Sequence, residues 1–214
     1  MRLTVLLFTM LLTACASAPQ SVPKDQVDAG AIAQHQDSLA DINAWEFQSR
    51  MAFFELQQNS RQSASLRWQN HPDSRSLRVS HPLRGTLAQL EETVAGALLI
   101  DQQGDEYQAA TIEALLLLHL NVVLPIELIH DALLGRIPQA EIINPSFYPD
   151  GTLAEYQVDV QDSTTRYARS QTWRVSLARY EPAANDSVRL PHQLELVSDA
   201  YIIRLNISRW TLLP

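Results

Sequence analysis

The chain has 214 residues and sets 16 Lys and Arg against 24 Asp and Glu, a formal charge of -8. An acidic chain lacks the basic face that nucleic acid demands, and charge does not draw it to anionic lipid. The length suits one large domain, and the single cysteine, Cys15, has no partner for an intramolecular disulfide.

The chain opens on Arg2 and an apolar run from Leu3 to Leu12, followed by Thr13, Ala14 and Cys15. A positive start, a short apolar stretch and small residues make a secretory signal. The run is well short of the ~20 residues that a membrane-spanning helix needs. Leu12-Thr13-Ala14-Cys15 has the form of a bacterial lipobox, whose cysteine is acylated and becomes the first residue of the mature protein. The alternative is an ordinary signal peptide with an incidental cysteine. One acyl chain gives only marginal attachment, so a durable anchor needs two or three. Ala16, where an aspartate would favour the inner membrane, points to the outer membrane. Residues 15–30 include Ser17, Pro19, Ser21, Pro23 and Gly30 and read as a flexible tether. The expected organisation is a signal peptide at 1–14, a tether at 15–30 and one domain over 31–214.

Ile32, Leu39 and Ile42 predict an amphipathic helix over 31–44, with Trp45 and Phe47 leading into strands. From there the period falls towards two. Ala64, Leu66 and Trp68 alternate with Ser and Arg, as do Leu77 and Val79, which predicts half-buried strands. The break at His81-Pro82-Leu83-Arg84-Gly85 precedes strands at Thr86–Leu90 and Ala97–Asp101. Two short, apolar helices follow, over 112–124 and from Ile126 to Leu134, with Thr111 as N-cap, a join around Asn121 to Pro125, and Gly135 as C-cap. Strands then return at Leu153–Val160, Trp173–Leu177, Leu194–Leu196 and Ile203–Ile207, with a polar loop from Glu181 to Leu190. Many antiparallel strands with one polar face suggest a strongly curved sheet or barrel. The leucine-rich helices would cover its open side. A barrel of this size either fills with side chains or holds an apolar ligand.

A search for chemistry finds little. There is no Gly-x-Ser-x-Gly elbow and no His-Glu-x-x-His, and the six glycines are too scattered to cradle a phosphate. Glu127 and His130 stand three apart on a predicted helix, but a metal there would need ligands from other helices. A solvated helix face is the simpler reading. Leu83, in a Pro-x-x-Gly turn, is by its residues alone a satellite of the core, with an exposed tip as the alternative.

Taken together, a series of short matches resembles the LolB family of outer-membrane lipoproteins. They are His35-Gln36 with Leu39 and Ile42 before Trp45, Ser49-Arg50, Ala64 to Trp68, Pro82-Leu83, Tyr107-Gln108-Ala109, Leu115-Leu116, Leu124-Pro125-Ile126, Leu134-Gly135, Trp173, Tyr180, Leu190-Pro191 and Trp210. Each is weak alone; their order across roughly residues 34–214 is what is specific. The resemblance implies an α+β fold, an incomplete antiparallel β-barrel with a helical lid over an apolar cavity. It implies acylation of Cys15 with an S-diacylglycerol and an N-palmitoyl chain. The implied role is to accept lipoproteins from a LolA-like periplasmic carrier and insert them into the inner leaflet of the outer membrane. Its partners would be that carrier, the acylated cargo and outer-membrane lipid, with no cofactor, metal or enzymatic step, and the protein would act as a monomer.

Pro82-Leu83 match the family's membrane-inserting loop, so the resemblance moves Leu83 from core satellite to inserting residue. Alternation places Leu66, Trp68, Leu77, Val79 and Trp173 of the barrel, with Leu116, Ile129 and Leu133 of the lid, around the acyl-chain cavity. There are departures. The family commonly has a glycine right after the leucine, where this chain has Arg84 and then Gly85. A tryptophan often found before the helix-ending Leu-Gly is absent, with Ala132 near its place, and Ser49-Arg50 stands for Gly-Arg. The competing reading is a lipid-anchored scaffold with a solid core.

Overall fold

The computed structural model describes residues 20–120, 124–162 and 169–214. Cys15, the signal peptide and the start of the tether lie outside the described residues, as do Asn121, Val122 and Val123 at the helix junction. A two-residue strand β1 (Val22–Pro23) and a 3-10 turn at Lys24–Gln26 come first, then helix α1 (Ala29–Leu39). Six strands follow: β2 (Trp45–Glu55), β3 (Ser60–His71), β4 (Ser74–His81), β5 (Gly85–Thr93), β6 (Gly96–Asp101) and β7 (Glu106–Ala109). Helices α2 (Ile112–Leu120) and α3 (Ile126–Leu134) interrupt them. The chain ends in β8 (Ile142–Phe147), β9 (Leu153–Asp162), β10 (Arg169–Pro182), β11 (Arg189–Val197) and β12 (Tyr201–Leu212).

All described strands join one antiparallel sheet in the order β1-β8-β9-β10-β11-β12-β2-β3-β4-β5-β6-β7. The end strands β1 and β7 are not paired with each other among the described residues, so the strongly curved sheet is an incomplete barrel. The α+β architecture expected from the sequence is therefore present. Alternation decides which face turns inward. Phe47 and Ser49 of β2, Leu66 and Trp68 of β3, and Trp173, Val175 and Leu177 of β10 are all buried.

On β12 the inward set is Ile203, Leu205, Ile207 and then Trp210, a change of parity. The register against β2 shifts there, from Ile207 opposite Ser49 to Arg209 opposite Gln48, so Ser208 is an extra residue. This bulge turns Trp210 to the core face. There Trp45, Phe47, Trp68 and Trp210 form an aromatic plug with ring centroids 5.1–6.1 Å apart.

Helix α1 starts and stops earlier than predicted. Asp28 caps it by accepting from the Gly30 amide at 3.0 Å, and Ala40 ends it. It is fastened to the end of α3 by side chains that bond to backbone. Gln36 donates to the Gly135 carbonyl at 3.1 Å and accepts from the Ile137 amide at 2.9 Å. Arg136 reaches back to the Leu39 and Ile42 carbonyls, each at 2.6 Å. Gly135 has φ +74°, and a Cβ there would stand 2.6 Å from the Tyr180 hydroxyl, so both conformation and space require glycine. Thr111 caps α2 as expected, its Oγ1 accepting from the Ala114 amide at 3.2 Å.

Three expectations need correction. Strands β7 and β8 were not predicted. β7 has only four residues, and β8 contains Asn144 at φ +50° and Pro145, which read as turn chemistry. The loop predicted over Glu181 to Leu190 is shorter, because Glu181 and Pro182 continue β10, while Arg189 and a fully buried Leu190 begin β11. Among the described residues, no helix is long and apolar enough to cross a membrane.

Candidate functional site: an apolar cavity beside a protruding loop

The concave face of the sheet does not close into a solid core. Between β2–β5, β12 and the two central helices lies a cavity of about 870 Å³. That is within the range of sites that hold small apolar ligands. Its floor is Trp68, at the edge of the aromatic plug, and its walls include Leu66, Leu77, Val79, Leu116 and Ile129. Those six are residues that alternation placed there.

Leu133 and Trp173 are not among the lining residues. Leu133 lies one helical turn beyond Ile129, fully buried towards the end of α3. Trp173 is on β10, two strands from the nearest lining strand, β12, and is buried in the filled part of the barrel. Periodicity reports which face of a strand or helix turns inward, not the position along it, so it could not exclude either. The same rule applied to Ile203 and Leu205, and to Met51 and Phe53, would have added four residues that do line the cavity.

The lid is fastened at one end by a polar cluster. Glu92 of β5 accepts from the Ile112 amide, the first of α2, at 2.6 Å, where a carboxylate also meets the positive end of the helix dipole. Arg75 of β4 stands 3.4 Å from Glu92 and 2.7 Å from Glu127 in the first turn of α3. Glu127 is thereby committed to an ion pair. His130 lies against the Trp45 ring, with centroids 5.6 Å apart. Helix α2 is apolar except for Glu113 and His119. Ile112, Leu115 and Leu116 are buried, whereas Leu118 faces outward and is 70% exposed.

The β4–β5 turn carries the most exposed leucine of the described chain. Arg84 donates its amide to the His81 carbonyl at 3.2 Å, with Pro82 in the second position, and Gly85 follows at φ +74°. This is a three-residue hairpin loop, a tight turn followed by a left-handed residue that only glycine adopts at no cost. Arg84 stands where the resemblance expects the glycine, and Gly85, one residue later, takes the left-handed conformation. The His81 ring (Nδ1) accepts from the Leu83 amide at 3.2 Å, and Gln102 donates to the Arg84 carbonyl at 3.3 Å. The loop backbone is thus braced while Leu83 is 90% exposed. His81 and Arg84 also line the cavity, so the loop stands at its mouth.

The model of the family described as outer membrane lipoprotein LolB matches residues 43–210, most of the chain. The chain belongs to the LolB family. Outer-membrane lipoprotein LolB of Vibrio cholerae is 27% identical over 210 residues, 96% of this chain and 93% of that protein. The LolB of Aeromonas hydrophila is 27% identical over 217 residues, 99% of each chain. Among solved structures, a LolA superfamily protein of Nitrosomonas europaea overlays with a TM-score of 0.49 at 5% identity, covering 87% of this chain and 94% of that one. LolB proteins belong to lipoprotein transport rather than to a known enzyme family. This chain is accordingly an outer-membrane lipoprotein facing the periplasm, with the family's function of a receptor in lipoprotein localisation.

The structure also explains why several family positions are occupied as they are. Tyr180 donates its hydroxyl to the Leu153 carbonyl at 2.8 Å, and Trp210 donates its indole N–H to the Pro191 carbonyl at 2.9 Å. His35-Gln36 and Leu134-Gly135 meet in the α1–α3 fastening described above. These motif residues hold the scaffold; the cavity and the loop are built on it.

Proposed function

We propose that the acyl chains of a lipoprotein, brought by a LolA-type periplasmic carrier, enter the cavity between the sheet and helices α2 and α3, and that Leu83 then enters the inner leaflet to deliver them. The observation that carries this is one juxtaposition: an apolar cavity of about 870 Å³ whose mouth is edged by a braced loop presenting a leucine that is 90% exposed. Apolar walls replace water around the acyl chain at roughly 0.8 kcal/mol per buried CH₂. No nucleotide need be spent if each step runs downhill, from carrier to receptor to bilayer. In this reading residues 1–14 are removed, Cys15 carries the lipid anchor and the residues ahead of β1 tether it; the receptor domain, expected over 31–214, begins earlier, at Val22, where β1 joins the sheet.

The test compares the acylated wild type with Leu83→Glu in outer-membrane vesicles supplied with a carrier–lipoprotein complex. Cross-linking of cargo to the receptor reads loading; resistance of cargo to alkaline extraction reads delivery. Leu83→Glu should load normally and deliver at least tenfold less, since a carboxylate replaces a leucine whose burial contributes about 1.5–3 kcal/mol. Normal delivery by Leu83→Glu would remove the loop from the mechanism. Failure of folded wild type to load would remove the receptor reading altogether.

A further inference from the structure

Leu83 is not the only apolar tip at the cavity mouth. Arg50 pairs with Ser65 and Ser65 with Ser80, so β2 runs from this point towards Glu55 while β4 runs towards His81. The β2–β3 and β4–β5 turns therefore lie at the same end of the barrel. Both reach the cavity, through Glu55, Gln58 and Ser60 on one hairpin and His81 and Arg84 on the other. The tip of the first is Leu56-Gln57-Gln58-Asn59. A chain with 24 carboxylates places none in this tip, nor any cation. Leu56 is 45% exposed, and its backbone is fixed, the amide donating to the Ala200 carbonyl at 2.8 Å. At the far end of β5 the turn residue Val94 is 93% exposed, but no residue of that turn lines the cavity.

We propose that Leu56 is a second membrane contact, and that the β2–β3 tip and the Leu83 loop together set the cavity mouth down on the phospholipid of the inner leaflet. The proposal rests on the membrane role assigned to Leu83 above. One inserted leucine lets the body of the protein swing, so that cargo leaving the mouth meets water. The two tips lie about 10 Å apart across the sheet by strand spacing and are staggered by about 13 Å along it, since one ladder ends at Glu55 with Ser60 and the other at His81 with Gly85; two such points hold the mouth towards hydrocarbon where one would not. Gln57, Gln58 and Asn59 can rest among headgroups uncharged, and the one carboxylate beside Leu56, that of Glu55, precedes the tip on β2 and lines the cavity. Arg84, beside Leu83, is placed to keep its guanidinium at the phosphates while its stem follows the loop inward.

The test uses the full acylated chain in vesicles of phosphatidylethanolamine and phosphatidylglycerol with brominated acyl chains. An environment-sensitive fluorophore is attached to Leu56→Cys, Leu83→Cys or Val94→Cys; Cys15 is the one native cysteine, and acylation leaves the introduced thiol as the only one free. Bromine quenching is expected at 56 and 83 and not at 94. Quenching at 83 with none at 56 overturns the proposal and leaves the delivery mechanism standing. Loss of both removes the membrane role of Leu83 as well. In the transfer assay, Leu56→Gln should load normally and deliver about threefold more slowly or worse, the scale expected for a half-exposed leucine. Slower loading with unchanged delivery would make the tip a carrier-docking surface and overturn the proposal from the other side.

Discussion

His35 is buried beneath the Tyr180 ring, which meets it edge-on at a centroid distance of 5.6 Å. Among the described residues its Nε2 has no hydrogen-bond partner. Burial pushes its pKa below the ordinary 6.5; the Asp150 carboxylate opposes this and Arg189 reinforces it. The unfolded chain therefore takes up this proton first as the pH falls. Stability should be full above about pH 6.5, decline as the pH drops towards the lower folded-state pKa, and level off beneath it. Asp150 titrates lower. Burial raises its pKa, but hydrogen bonds from Thr152 and Arg189 outweigh this and hold it below the ordinary 3.8, so it contributes in a separate, more acidic window. Urea midpoints measured between pH 7.5 and 5.5 should fall for the wild type and run flatter for His35→Gln. Equal slopes would assign the effect to other groups.

At the scale of elements, the lid depends on Arg75. This one guanidinium, from β4, joins the carboxylate that caps α2 to the first turn of α3. Its replacement by glutamine leaves Glu92 facing the helix end alone. The pairing with Glu127 counts for less, because that carboxylate is largely exposed and screened by solvent. A loss of about 1–2 kcal/mol follows for a part-buried, charge-assisted contact. It should appear locally: in Arg75→Gln, amide exchange in α2 and α3 should quicken while that of β12 and β2 stays slow. Uniform acceleration throughout the sheet would mean that Arg75 supports the barrel rather than the lid. Elements also show where sequence reading stops. The long strands were legible because Leu66-Trp68 and Ile203-Leu205-Ile207 alternate without interruption. The bulge at Ser208 was not, since one inserted residue reverses the parity of all that follows and only pairing with β2 reveals it.

For the whole molecule the question is why so much apolar surface encloses a space instead of filling it. Interiors are ordinarily close-packed, and unfilled volume forgoes dispersion contacts that would stabilise the fold. The sequence hinted at this through α2, a helix apolar except for Glu113 and His119. It could not give the cavity's boundary, which is why Leu133 and Trp173 were placed at it and Met51 and Phe53 were not. The boundary depends on where helix ends and strand staggers fall, and that is fixed only by the assembled sheet. If the space serves cargo, filling it should separate stability from function. Ala88 on β5 is suited to the experiment, because it lines the cavity opposite Val79, is only half-buried, and belongs to no motif at the loop or the aromatic plug. Ala88→Phe would place a ring among Leu66, Leu116 and Ile129, where empty volume can receive it without the strain of overpacking a filled core. Its melting temperature should equal or exceed that of the wild type, while cargo loading from the carrier falls several-fold and the membrane contact of Leu83 persists. Undiminished loading with a bound-state structure showing the ring inside would place the acyl chains elsewhere. A matching fall in both stability and loading would show that the cavity is too rigid to be filled and that a smaller probe of it, Ala88→Leu, is the variant to read.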